Sequence, residues 1–128
     1  MSQENVEIVR AAFAAYNRGD RDAMSKVCDP EVEFITLLLG NHHGKEAVLR
    51  LFEENRMNLT GYRLDPEELI EAGDSVIAVA RLGGAGPVSG IALGDRIAFL
   101  FTLREGLLIR QETFRNKEDA LEAAGLRE

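Results

Sequence analysis

Residues 96–114 read RIAFLFTLREGLLIRQETF, two apolar runs set around a Glu105-Gly106 pair, and they decide the architecture. Arg96 to Leu103 and Leu107 to Phe114 are rich in β-branched and large apolar side chains, so they read as two strands of a hairpin with a two-residue turn. With a regular register from that turn, Leu103 faces Leu108, Phe101 faces Arg110, Phe99 faces Glu112 and Ile97 faces Phe114. Cross-strand partners share a face. One face then carries Ile97, Phe99, Phe101, Leu103, Leu108 and Phe114, with Arg110 and Glu112 among them, and is apolar enough to lie under helices. The opposite face holds Ala98, Leu100, Thr102, Ile109, Gln111 and Thr113. It is too apolar for a wetted sheet and too mixed for a core, a surface that suits pairing with a second copy of itself across a two-fold axis. A homodimer through this outer face is the expectation.

Working back along the chain, Leu69 to Ala72 and Val76 to Leu82 flank Gly73-Asp74, a second hairpin with glycine in the first turn position. Gly83 to Pro87 reads as a flexible connection. Before these strands the period is helical. Val6, Val9, Phe13 and Tyr16 recur at steps of three and four, and Gly19 suits the left-handed residue past a helix end. Asp20 is placed to cap a second, shorter helix that Asp29-Pro30 stops. Val32 to Leu39 reads as a strand, Gly40 to Gly44 as a loop, and a third helix starts near Lys45. After the last strand, Asn116 with Asp119 three residues on has the form of a capping box for a short final helix that Gly125 closes. Helices first and hairpins after mean an α+β layer architecture.

The bulk numbers set limits on function. A chain of 128 residues is the usual size of one domain, expected here over residues 1–128. With 22 acidic against 15 basic residues the net charge is −7, which opposes binding to phosphate backbones, so no nucleic-acid partner is expected. It also opposes a basic membrane-surface helix, and no apolar run approaches the length of a span, so no membrane partner is expected either. The amino terminus has no apolar signal core and Cys28 stands alone, so the chain reads as cytoplasmic. Cys28 beside Asp29 at a helix end has the surroundings of an inert thiol.

Three stretches together carry a resemblance: Asn5 to Arg10 running on to Tyr16-Asn17-Arg18-Gly19-Asp20; Asp29-Pro30-Glu31-Val32-Glu33-Phe34; and Phe101 to Gly106 running on to Asp119 through Leu126. Gly44-Lys45-Glu46-Ala47-Val48 lies between them at the opening of the third helix. Read in order over essentially the whole chain, this resembles the SnoaL-like proteins of the nuclear-transport-factor-two-like superfamily. The resemblance implies a cone-shaped roll: a curved, mostly antiparallel sheet covered by three N-terminal helices, with a short C-terminal helix. It implies a pocket for a small apolar or polyketide-like ligand, dimers through the outer sheet face, and relatives that range from cyclases and isomerases to non-catalytic binding domains. Fold alone does not choose among them. Where many relatives carry a histidine and an aromatic, this chain has Phe99 and Phe101, and neither the tyrosine–aspartate set of the ketosteroid isomerases nor the Asp-Arg-Asp set of the epoxide hydrolases can be placed on it.

Several residues are candidates for chemistry. Glu112, set among phenylalanines, would be partly desolvated and suited to act as a general base, unless it pairs with Arg110 two residues away. His42 and His43 lie at the rim of the cone, and histidine titrates near neutrality; either could exchange a proton with a ligand, or both could be merely solvated. Arg81 shares an alternation with Ile77 and Val79. It would hold an acid or carbonyl if it points inward, and would pair with Glu68 or be solvated if not. Tyr16 offers a hydroxyl from the first helix, and Phe34, Phe99, Phe101 and Phe114 read as pocket wall and core together. Adjacent histidines are poor metal spacing, and Gly40 to Lys45 lacks the length and the Ser or Thr of a phosphate loop. The expected activity is therefore cofactor-independent: proton abstraction next to a carbonyl in an apolar pocket, as in a cyclase or isomerase. Ligand binding without turnover and a dimeric scaffold with a filled core are the alternatives.

Overall fold

The computed structural model describes residues 2–36, 40–58, 63–83 and 96–125. Helix α1 (Ser2–Arg18) buries Val6, Val9, Phe13 and Tyr16 along one stripe. It ends at Gly19, whose φ of 71° lets the Asp20 N–H turn back to the Ala15 carbonyl at 2.9 Å. Helix α2 (Arg21–Val27) starts where the Asp20 carboxylate accepts the Ala23 N–H at 3.0 Å. Helix α3 (Lys45–Asn58) buries Val48, Leu49 and Phe52. Helix α4 (Lys117–Ala123) is capped by the Asn116 side chain, which accepts the Asp119 N–H at 2.8 Å.

Six strands form one sheet: β1 (Cys28–Ile35), β2 (Asn41–His43), β3 (Arg63–Ala72), β4 (Ser75–Gly83), β5 (Arg96–Arg104) and β6 (Leu107–Phe114). Their order is β2-β1-β6-β5-β4-β3, antiparallel except for the parallel β1–β6 pair. The sheet curves without closing, leaving β2 and β3 as its edges. Edge strand β3 is tied to α1 through one side chain. The Asn17 amide donates to the Leu64 carbonyl at 2.7 Å and accepts the Leu64 N–H at 2.9 Å, satisfying backbone groups that an edge leaves open.

The inner face, with Val76, Ala78, Ala80, Leu82, Ile97, Phe99, Phe101, Leu103 and Leu108, packs under α1, α2 and α3 in one continuous core. Phe13 of α1 meets Phe99 and Phe101 edge-on at 5.6 and 5.7 Å between ring centres. On the outer face Ile77, Ala98 and Leu100 pack with Ala120 of α4. The expected α+β architecture, with the first three helices over a bent sheet, is the one found.

Four local expectations are corrected. The first strand begins at Cys28, ahead of Val32. Its last strand residue is Ile35, and residues 37–39 lie outside the described chain. Residues 41–43, expected as loop, pair with β1 as strand β2. Strand β3 begins at Arg63 rather than Leu69, and it accommodates Pro66 because it is an edge strand with a bulge between Pro66 and Glu68. The connection expected over Gly83 to Pro87 lies, past Gly83, outside the described residues.

The fourth correction reverses a strand. Pairing from the Glu105-Gly106 turn is regular for Arg104 with Leu107 and Leu103 with Leu108, and then shifts: Thr102 faces Arg110, Phe101 faces Gln111, Leu100 faces Glu112, Phe99 faces Thr113 and Ala98 faces Phe114. Ile109 is the extra residue of a β-bulge. Because side chains alternate, one inserted residue turns every later side chain to the other face. Gln111 and Thr113 therefore lie on the inner face, and Arg110, Glu112 and Phe114 on the outer. The physical reason is desolvation. The regular register would set Arg110 and Glu112 against the rings of Phe101 and Phe99, and the bulge takes both charges off that aromatic surface to the outer face.

Candidate functional site

The strand registers line up six inner-face residues in one row across the sheet: His42 on β2, Phe34 on β1, Gln111 on β6, Phe101 on β5, Val76 on β4 and, exposed at the far edge, Glu71 on β3. The next row runs Thr113, Phe99, Ala78 and Leu69. Along these rows the covering changes. Phe101, Val76, Phe99 and Ala78 are buried, whereas His42, Phe34, Gln111 and Thr113 keep part of their surface exposed. The same concave face thus passes from helix-covered core to an accessible end that presents one aromatic ring and three polar side chains. Strand spacing sets the Cα atoms of His42 and Gln111 about 10 Å apart, with Phe34 between them.

Strand β2 carries His42 in a fixed frame. The Thr36 hydroxyl and N–H both donate to the Gly40 carbonyl, at 2.6 and 3.3 Å, and the Gly44 N–H donates to the Val32 carbonyl at 2.7 Å. The His42 ring extends toward Gly40, its Nε2 lying 4.0 Å from where a Cβ on that glycine would stand. His43, one residue on, shares the outer face with Glu33, and its Nε2 is 3.4 Å from a Glu31 carboxylate oxygen. Tyr16 is buried on α1 with its ring edge-on to Phe52 of α3 at 5.4 Å.

The other candidates stand on the outer face. Glu112 lies 3.8 Å from the Arg110 guanidinium, and both keep substantial exposure there. Phe114 packs with the Ile77, Ala98 and Leu100 cluster next to α4. Arg81 faces outward beside Asp65 and Arg96, and its partner is Glu67, not Glu68. Glu67, the bulged residue of β3, accepts from Arg96 at 2.6 Å and Arg81 at 3.1 Å, and these two hydrogen bonds hold its carboxyl below the usual range. Glu68 instead takes Lys117 at 2.8 Å, which raises the Lys117 ammonium above its ordinary value and ties α4 to the sheet.

Of the ten residues singled out from sequence, Phe34, His42, Phe99 and Phe101 share the inner face, with Tyr16 in the helix layer above it. Glu112, Arg110, Phe114, Arg81 and His43 do not join them. Gln111 and Thr113 were absent from that set. The signal that could have found them was the improbable placing of two charges among phenylalanines, which argued against a regular register. Cys28 is buried, and burial pushes its thiol up to about 11, so it is no nucleophile. Among the described residues no three His, Cys, Asp or Glu side chains gather as metal ligands, and no helix is long and apolar enough to cross a membrane.

The fold has counterparts in known proteins. Residues 9–111 match the SnoaL-like domain family. A candidate polyketide cyclase of Sinorhizobium meliloti is 26% identical over 84% of this chain and 93% of its own, with a TM-score of 0.73. A candidate SnoaL-like polyketide cyclase of Jannaschia sp. CCS1 is also 26% identical, over 88% of this chain and 85% of its own, with a TM-score of 0.74. TerC, solved after co-crystallization with polyporic acid, shares the fold at 22% identity over 95% of this chain and 98% of its own, with a TM-score of 0.76. Curated proteins yield no match.

Proposed function

The chain belongs to the SnoaL-like domain family, and from that premise we propose that it binds a small, largely apolar, polyketide-like molecule on the inner face of its sheet and acts on it as a cofactor-independent cyclase or isomerase. One observation carries the reading: the inner face is helix-covered core over β4 and β5 but accessible at Phe34, His42, Gln111 and Thr113. An apolar surface ending in a few convergent polar groups is the usual form of a small-molecule site. The ring of Phe34 supplies area, and the polar groups fix orientation. The candidate polyketide cyclases at 26% identity support the same class of ligand.

Calorimetric titration with polyporic acid, the compound seen with TerC, tests the site. Saturable binding is expected, and Thr113→Trp, which fills the accessible end, is expected to abolish it. Binding that persists unchanged in that variant would move the site elsewhere on the molecule.

A second reading, binding without turnover, has its own observation. Three of the four accessible side chains, Phe34, Gln111 and Thr113, can hold and orient a ligand but do not exchange protons near neutral pH. The two readings separate on whether the bound molecule is changed. Pairing of two copies through the outer face fits the partly exposed apolar side chains of Ile70 and Phe114 there, although α4 already covers part of that surface. Light scattering at micromolar protein reads this directly, with twice the 14.1 kDa chain mass expected and a single-chain mass ruling it out.

A further inference from the structure

The geometry points to His42 as the proton-transfer residue of this protein, acting on a carbonyl compound whose oxygen is held by the Gln111 side-chain amide; this rests on the reading that a small molecule occupies the inner face. Three observations converge on it. The register of β2 against β1 puts His42 and Phe34 opposite each other, and that of β1 against β6 puts Phe34 opposite Gln111, so an imidazole and an amide flank one aromatic ring in a single row. All three are accessible in part. The strand bearing His42 is pinned to β1 at both ends, through Gly40 with Thr36 and Gly44 with Val32. A side chain on a short strand fixed in this way has the restricted position that proton transfer needs.

The chemistry follows from what the two polar groups can do. A flat ligand lies on the Phe34 ring with its carbonyl oxygen toward Gln111. The carbon next to the carbonyl releases its proton to an imidazole nitrogen of His42, and the electron pair of the broken C–H bond passes into the C–C–O system as an enolate. The Gln111 amide N–H donates to the enolate oxygen, where charge develops. The protonated imidazole, accessible in part and so in exchange with water, then returns one proton to a carbon of that system. Proton and electron pair are both conserved, and no further reactant is required. His43 takes no part: on the adjacent position of β2 it points to the outer face and stands beside Glu31. Glu112 is excluded by the bulge at Ile109, which puts it on the far side of the sheet.

The test uses 2-tetralone, a bicyclic ketone with an activated methylene beside its carbonyl, and the full chain. Deuterium exchange at that methylene in D2O is followed by proton NMR, while the Gln111 side-chain amide, in nitrogen-15-labelled protein in ordinary water, reports binding. Wild-type protein is expected to accelerate the exchange, His42→Gln to lose about a hundredfold of that acceleration, and His43→Gln to keep it. If the Gln111 amide shifts with ligand but the wild type gives no acceleration, or His42→Gln exchanges as fast as wild type, the role of His42 is overturned and the binding reading stands. If 2-tetralone moves no inner-face signal in the wild type, the binding reading falls and the role of His42 falls with it. A shift of the Gln111 amide in His42→Gln shows that the variant is folded and loaded, so a lost rate there belongs to the imidazole.

Discussion

The β3–β4 hairpin turns at Gly73-Asp74 and pairs without a break from Ala72 with Ser75 to Glu68 with Val79, whereas the β5–β6 hairpin turns at Glu105-Gly106 and slips after two pairs. Both have two-residue turns, and both eventually bulge. In the first, the bulge falls at Glu67, next to a proline that cannot donate to a ladder, and it delivers a carboxylate to Arg81 and Arg96 on the outer face. In the second it falls at Ile109 and delivers Arg110 and Glu112 to the same face. The second turn carries strain of its own: Glu105 and Gly106 both have positive φ, 54° and 81°, as a type I′ turn requires, and only glycine adopts that freely. A turn fixes register only as far as the first bulge. What sets the faces beyond it is the cost of burying charge.

The sharpest way to break this comparison is to delete one residue from β6. Removing Gln111 leaves the strand two ways to close, and each puts a charged side chain opposite Phe101: Glu112 if the bulge persists, Arg110 if it is lost. A loss of about 3 kcal/mol is expected from the desolvated charge. Removing Ile109 instead abolishes the bulge and leaves Gln111, Thr113 and every later side chain on its present face. That variant is expected to stay within about 1 kcal/mol of the parent. Urea denaturation of the two deletions reads both values. Equal losses, or a larger loss for Ile109, would mean that the bulge is not what assigns the faces of β6.

The same contrast explains what could be read from the sequence and what could not. The helices were legible because their causes are local: the spacing of Val6, Val9, Phe13 and Tyr16, the carboxylate of Asp20 at Ala23, the amide of Asn116 at Asp119. The two hairpin turns were legible for the same reason. Strand β2 was not, since Asn41-His42-His43 has no apolar alternation and becomes a strand only by pairing with residues 33–35. The early half of β3 was hidden by Pro66, which is tolerated there because the strand is an edge. The candidate site was the least legible part. Choosing between His42 and His43 needs the β1–β2 register, and admitting Gln111 and Thr113 needs the bulge, both set by non-local pairing. The conflict was nevertheless visible in advance, because a regular register left Arg110 and Glu112 among phenylalanines.

The smallest expected effect makes the finest test of that reversal. Glu112→Gln removes the charge that an unbroken register would have made the centre of the site. On the outer face it loses only a 3.8 Å contact to a well-exposed arginine, and exposed pairs of that kind contribute little, so stability should change by no more than about 0.5 kcal/mol. Affinity for polyporic acid should not change at all, because the whole thickness of the sheet separates Glu112 from Phe34 and Gln111. A fall in affinity with stability intact would return Glu112 to the inner face and with it the unbroken pairing. An unchanged affinity beside the lost binding of Thr113→Trp, one residue along the same strand, would fix the direction of every side chain from Arg110 to Phe114.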